Sequence, residues 1–332
     1  MLERLGLRLP VLQAPMAGVS TPAMAAAVCE AGGLGGVAIG HLNLELAREV
    51  IQETRRRTPL PFNVNLFCHA PPAADAAREQ AWLDTLRPHF QRYGAEPPAR
   101  LHPAYPVPDR TVLALLLELK PAVVSFHFGI PNDFVIPLRA AGVMVLGCAT
   151  NLKEGRALQQ AGVDAIVAQG YEAGGHRGCF DPDLYDENLS TMALLQQLRS
   201  LGLPLVAAGG VMDGVGARAL RGLGALACQC GTAYVACPES AADPVHVRRL
   251  LQADLPTVMT RAISGRPARG LVNHFNDITG EPPAYPTAYS AAKALHAAAK
   301  AQGEFGYGAH WAGQGACLAR SAPAAEMTRL LA

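Results

Sequence analysis

The sequence is poor in aromatic residues: they fill 6 % of its 332 positions, and only two are tryptophan. It also lacks a charge excess, with 28 Lys and Arg against 27 Asp and Glu and a formal net charge of +1. Both shortages count against a basic, aromatic-interleaved face, so no nucleic-acid partner is expected. No apolar run reaches the ~18 residues needed to cross a bilayer. The longest candidates, 112–119 and 122–128, are interrupted by Glu118 and Lys120. Charges inside the opening "MLERLGLRLP" do not fit a signal peptide, so a cytoplasmic protein without a membrane partner is expected.

Other absences narrow the chemistry. None of the eight cysteines forms a C-x-x-C pair, which removes the zinc knuckle and the thioredoxin-type motif, and no metal site is expected. Cys228 and Cys230 stand two apart in an apparent strand and should share one face. As a set, the cysteines read as small buried hydrophobes in a reducing compartment. No G-x-S-x-G occurs, which argues against a serine hydrolase of that type. No P-loop occurs, and no G-x-G-x-x-G follows the first strand, so a dinucleotide held in the Rossmann manner is not expected.

What is present is a rhythm. Half of the residues are hydrophobic. Eight short, continuous apolar runs occupy 11–14, 36–39, 62–66, 122–126, 143–148, 164–168, 205–208 and 226–230, as strands buried on both faces should. Helical segments at 22–31, 44–57, 152–161, 189–199 and 214–223 lie between several of them. Thr21 before Pro22 reads as an N-cap, and Asn151 and Gly162 bracket the third segment. Eight strands with intervening helices predict an α/β fold of the (β/α)8 barrel kind over a doubly wound sheet, which usually has fewer parallel strands. Two insertions break the rhythm. One contains a helical stretch at 73–93 and a Pro-rich segment; the other follows the eighth strand. The expected organisation is a barrel domain of 1–69, 109–236 and 310–332, with a smaller, mostly helical substrate or lid domain from 70–108 and 237–309.

A barrel of this kind places its site at the C-terminal ends of the strands. The seventh and eighth strands end in Gly209-Gly210 and Gly231-Thr232. Glycine turns there free backbone N–H groups for an anion, and the Thr232 hydroxyl adds a donor. Asn65 and Gln169, at two other strand ends, offer donor and acceptor side by side, which suits the edge of a planar heterocycle such as a flavin. The stretch "AQGYEAGGHRG", 168–178, continues no strand and is too glycine-rich for a helix. Its His176 can act as a base near neutral pH or donate to an anionic substrate, and its glycines would allow close approach to a flat ligand. His127, in "SFHFG", reads equally as site wall or core packing.

The strand ends in order, "LQAPMAG", "PFNVNLF", "VSFHFGIP", "AQGYEAGGHRG", "AAGGV" and "QCGTAY", resemble the nitronate monooxygenase family, formerly called 2-nitropropane dioxygenases. The resemblance runs from the first strand to "WAGQG" at 311–315. It implies an FMN-dependent TIM barrel of the family's bacterial class I. FMN would lie on Met16, Asn65, Gln169, Gly174, Gly209, Gly210, Gln229, Cys230, Gly231 and Thr232. His176 matches the family's active-site histidine, with Tyr105, His127, Tyr285, Tyr289 and Lys293 on the substrate side. The implied reaction oxidises an alkyl nitronate, propionate 3-nitronate foremost, with O2 to a carbonyl compound and nitrite, a detoxification. His176 would steady the nitronate charge or, as in some relatives, deprotonate a neutral nitroalkane. FMN-dependent enoyl-acyl-carrier-protein reductases share a similar "EAGGH" loop and "AAGG" turn, so an NAD(P)H-dependent enoyl or quinone reductase is the rival. A flavin-binding protein without turnover is the third reading. A homo-oligomer is compatible with the sequence, which does not specify one.

Overall fold

The apolar runs become the staves of a barrel. The computed structural model describes residues 1–252 and 254–332. Its barrel strands are β1 (Val11–Gln13), β2 (Gly36–Ala38), β3 (Asn63–Phe67), β4 (Val123–His127), β5 (Met144–Ala149), β6 (Ala165–Gln169), β8 (Leu205–Ala208) and β9 (Ala227–Cys230). All their pairings are parallel, in the order β1-β9-β8-β6-β5-β4-β3-β2. A parallel bridge between Leu12 and Leu34 closes the ring. Gln13 N–H donates to Leu34 O, and Leu34 N–H donates to Val11 O, each at 2.9 Å.

Helices α1 (Pro22–Ala31), α2 (Leu44–Arg57), α3 (Ala76–Gln91), α4 (Arg110–Leu119), α5 (Asn132–Ala140), α6 (Leu152–Ala161), α7 (Thr191–Leu198), α8 (Gly214–Gly222), α9 (Thr232–Val235), α10 (Pro244–Leu251), α11 (Thr287–Lys300) and α12 (Ala324–Leu330) complete the chain. The expected caps are in place. Thr21 Oγ1 accepts from Met24 N–H at 3.0 Å and Asn151 Oδ1 from Glu154 N–H at 2.9 Å. Gly162 ends α6 in the left-handed region, φ 81°. Among the described residues no helix is long and apolar enough to cross a membrane.

Alternation along each strand sorts the side chains into two layers. Leu12, Val123, Met144, Leu146, Ala165, Val167, Val206 and Ala227 fill the barrel interior. Val11, Val37, Val64, Val124, Val145, Ile166, Ala207 and Cys228 face the helices. Continuing the inner face to the C-terminal ends reaches Asn65, Ser125, His127, Cys148, Gln169 and Gln229. The polar residues of the site therefore form the top layer of the barrel filling.

The stretch 168–178 departs from the expectation that it continues no strand. Gly175–His176 forms β7, a two-residue strand, paired antiparallel with β11 (Ala268–Leu271), which pairs in turn with β10 (Thr257–Thr260). Such a short pairing leaves no apolar periodicity in sequence. The two insertions also share a second apolar core. Trp82, Leu86 and Phe90 of α3 pack with Phe275, Leu295 and Tyr307. The second insertion thus carries strands β10 and β11 as well as helices.

Candidate active site

A cavity of about 370 Å³ opens at the C-terminal end of the barrel. Met16, Asn65, Gln169, Gly174, Gly209, Gly210, Gln229, Cys230, Gly231 and Thr232 line it, as do His176, His127, Tyr105 and Tyr289. Tyr285 and Lys293 stand outside its wall. Tyr285 packs behind His176, ring centroids 5.3 Å apart, and Lys293 Nζ lies 4.4 Å from the Tyr105 ring centre and 4.8 Å from that of Tyr289. Cys230 shares the outward face with Cys228, so its thiol packs among the helices and its main chain is left for a ligand.

The glycine turns are built for donors. Gly209 and Gly210 both lie at positive φ, 121° and 74°, where other residues are strained. Across the cavity, Thr232 Oγ1 accepts from Gly313 N–H at 2.9 Å, leaving its own proton for a ligand. Asn65 Nδ2 donates to the Ser125 carbonyl at 3.1 Å and to Ser125 Oγ at 3.0 Å, which turns Asn65 Oδ1 away from that partner.

Gln169 holds the loop that carries His176. Its Nε2 donates to the His176 carbonyl at 3.0 Å, and its Oε1 accepts from Gly178 N–H at 2.6 Å. His127 Nε2 lies 3.1 Å from the same carbonyl and must be protonated to bond it. His127 is therefore part of the cavity wall and part of the loop's support. Gly174 and Gly178 of this loop serve protein packing more than ligand clearance. A Cβ on Gly174 would lie 2.4 Å from Gly313 N, and one on Gly178 would lie 2.6 Å from Cys148 Sγ and 2.8 Å from His127 Cε1.

The His176 ring sits in an aromatic enclosure, with centroids 5.3 Å from Trp311, 5.7 Å from Phe128 and 6.1 Å from Tyr289. Its Nε2 bonds Ser264 Oγ at 2.9 Å. Burial pushes its pKa down to about 3, reinforced by the Arg266 guanidinium and by His127. Burial likewise takes His127 to about 4, with Arg266 and Arg177 adding to the fall against the hydrogen bond to the His176 carbonyl. Both imidazoles are neutral at physiological pH.

Three buried arginines surround this loop: Arg177, Arg266 and Arg269. Arg177 is paired with Asp186 at 2.7 Å. Among the described residues no carboxylate pairs with the other two. Arg266 donates to the carbonyls of Cys179 and Phe180 and lies 4.1 Å from the Phe128 ring centre. Arg269 donates to the Tyr171 carbonyl at 3.0 Å. Carbonyl dipoles rather than paired carboxylates partner these two guanidinium groups, with Glu154 acting on Arg266 and Glu172 on Arg269 at longer range. Ser264, Arg266, Phe128 and Trp311 escaped the sequence reading. No spacing marks them, because Ser264, Arg266 and Trp311 come from segments more than 80 residues away from His176 in sequence, and Phe128 from an unexceptional apolar position.

Among the described residues no group of three or more His, Cys, Asp or Glu side chains is arranged to hold a metal ion. All eight cysteines are free thiols.

The family model described as nitronate monooxygenase matches residues 1–332. A nitronate monooxygenase of Paraburkholderia phytofirmans is 56 % identical, covering 100 % of this chain and 93 % of that protein. The Pseudomonas aeruginosa nitronate monooxygenase is 53 % identical, covering 98 % and 96 %. Among solved structures, nitroalkane oxidase from Streptomyces ansochromogenes superposes with a TM-score of 0.90 at 39 % identity, covering 99 % of this chain and 96 % of that one. FabK from Thermotoga maritima follows at a TM-score of 0.76 and 29 % identity, covering 99 % and 93 %. With a (β/α)8 barrel, a cavity at its C-terminal end and relatives over its whole length, this chain is an enzyme that belongs to the nitronate monooxygenase family.

Proposed function

We propose that this enzyme oxidises alkyl nitronates with O2 on bound FMN, releasing a carbonyl compound and nitrite, with propionate 3-nitronate as its substrate in the cytoplasm. The observation that carries this reading is the meeting, in one cavity, of two donor-rich turns and a neutral imidazole walled by aromatic rings. The residues present fit the cofactor. The main chain at Gly209, Gly210 and Gly231, with the free Thr232 proton, suits a phosphate. Asn65 and Gln169 suit the polar edge of the heterocycle, since Gln169 keeps one N–H and one lone pair beyond its two loop bonds. Met16, Gly174, Gln229 and Cys230 complete the cofactor wall.

When bound, FMN supplies the redox chemistry with substrate and O2. The chain's own residues do the rest. His176 faces the substrate, Tyr105, His127 and Tyr289 wall it in, and Tyr285 and Lys293 back that wall. The unpaired guanidinium groups of Arg266 and Arg269 favour an anion over its neutral conjugate acid. In this reading 70–108 and 237–309, which share an apolar core, form the substrate-side domain, and 1–69, 109–236 and 310–332 hold the cofactor.

The test is direct. Purified protein should show a flavin spectrum, and propionate 3-nitronate should drive O2 uptake with nitrite release. A colourless protein that takes up no FMN overturns the reading. Rapid anaerobic bleaching by NADH or NADPH favours a reductase instead. His176→Asn that retains FMN and full turnover removes His176 from the mechanism.

A further inference from the structure

His176 has two ring nitrogens, and the surroundings treat them differently. Nε2 lies 2.9 Å from Ser264 Oγ, while Nδ1 has no hydrogen-bond partner among the described residues and is not among the buried unpartnered atoms. Ser264 is itself buried, and its hydroxyl lies 3.1 Å from the carbonyl oxygen of Arg266. A serine has one proton to give. If it went to His176 Nε2, the Arg266 carbonyl would lose its only side-chain donor in a buried setting, an unfavourable arrangement. If it goes to the Arg266 carbonyl, Ser264 Oγ is free to accept from Nε2–H, and all three groups are satisfied.

We infer that Ser264 is a positioning residue: it holds His176 as the Nε2–H tautomer and leaves the Nδ1 lone pair to the ligand. The inference rests on the reading of His176 as the group facing substrate. It deepens that reading by assigning a direction to the hydrogen bond. His176 enters as an acceptor, able to take a hydrogen bond or a proton at Nδ1. The oxygens of an anionic substrate must then find their donors elsewhere. Ser264 sits two residues before Arg266, whose side chain lies over Phe128, and Phe128 packs against the His176 ring. One short segment thus orients the imidazole by two routes.

The test is a 15N–1H correlation spectrum of full-length protein labelled with [15N]histidine, with His176 assigned by its loss in His176→Gln. The expected result is a protonated Nε2 and an unprotonated Nδ1. In Ser264→Ala the Nδ1–H form should appear, and Ser264→Thr should restore the wild-type pattern. Protonated Nδ1 in the wild-type protein overturns the inference, as does an unchanged single tautomer in Ser264→Ala. If Ser264→Ala does not fold, Ser264→Cys, a weaker acceptor, carries the same comparison. The tautomer is read without turnover. A chain that fails to oxidise nitronates but shows the expected pattern refutes the proposed reaction and leaves the Ser264 assignment standing.

Discussion

The side-chain amide of Gln169 donates to the carbonyl oxygen of His176, seven residues further along the same loop. The same side chain accepts from Gly178 N–H, so one amide spans the turn that presents the imidazole. Gln169→Ala leaves a buried Gly178 N–H without its partner. We expect a loss of roughly 2 kcal/mol of stability and at least a tenfold fall in turnover, about 1.4 kcal/mol of barrel-top positioning. Gln169→Glu, which keeps the acceptor but buries a carboxylate against the His176 carbonyl oxygen, should be no milder. Thermal denaturation and nitrite release measure both; a wild-type melting curve for Gln169→Ala would contradict the role.

Two glycines of this loop should lose stability for different reasons, and unequally, on gaining the same methyl group. At Gly178 the new carbon meets Cys148 Sγ and His127 Cε1 inside 3 Å. Gly178→Ala should cost about 1–3 kcal/mol by overpacking and displace His127 from the His176 carbonyl. At Gly175, φ +75°, the methyl would meet nothing within 4 Å. Gly175→Ala should cost only backbone strain, roughly 1 kcal/mol. Denaturant midpoints of the two variants decide the order.

Acidification should destabilise the fold before it protonates the site. Burial takes His310 and His176 down to about 3, and His69, His127 and His246 to about 4. In the unfolded chain these groups return to ~6.5. The unfolded state therefore binds protons that the folded state refuses. Stability is complete above pH ~6.5 and falls as pH drops toward 4. One such buried histidine is worth about 2 kcal/mol at pH 5. Melting temperatures from pH 8 to 5 should fall steadily, and turnover should show no inflection from His176 in that range.

Lys293 stands over two tyrosine rings without reaching the cavity wall. Lys293→Met should keep the fold and cofactor binding while raising KM for an anionic substrate a few-fold, because only its field reaches the ligand. It has a second readout. His41 is pushed down to about 4 by burial, with Lys293 adding to the fall. Its titration should move back toward the ordinary histidine value in the variant, observable by NMR.

The barrel was legible because its strands are buried on both faces, and continuous runs such as Ala165-Ile166-Val167-Ala168 have few other uses. The top layer was legible in part: Asn65, Gln169 and His127 stand at or beside predicted strand ends, while Ser125, which joins them on the inner face, was not read. Strands β7, β10 and β11 were not. They are two to four residues long, and the pairing that places β7 joins positions some 90 residues apart, His176 with Ala268. Nor does a glycine announce what it is clear of. Gly174 and Gly178 make room for Gly313 and Cys148, contacts that exist only after folding. Lys293 falls outside the cavity because it stands one turn beyond Tyr289 on α11, over that ring, and Tyr285 because it lies in the turn before the helix, packed against His176.

His176 belongs to two bodies at once. Its strand is tied by main-chain hydrogen bonds to β11, in the segment that follows the barrel, while Gln169 and His127 tie its carbonyl to the barrel top. The glycine turns at Gly209, Gly210 and Gly231, which line the cavity, follow barrel strands. The distance from the imidazole to those turns is therefore a mechanical quantity. Shifting β11 by a fraction of an ångström would change it without any side-chain rotation.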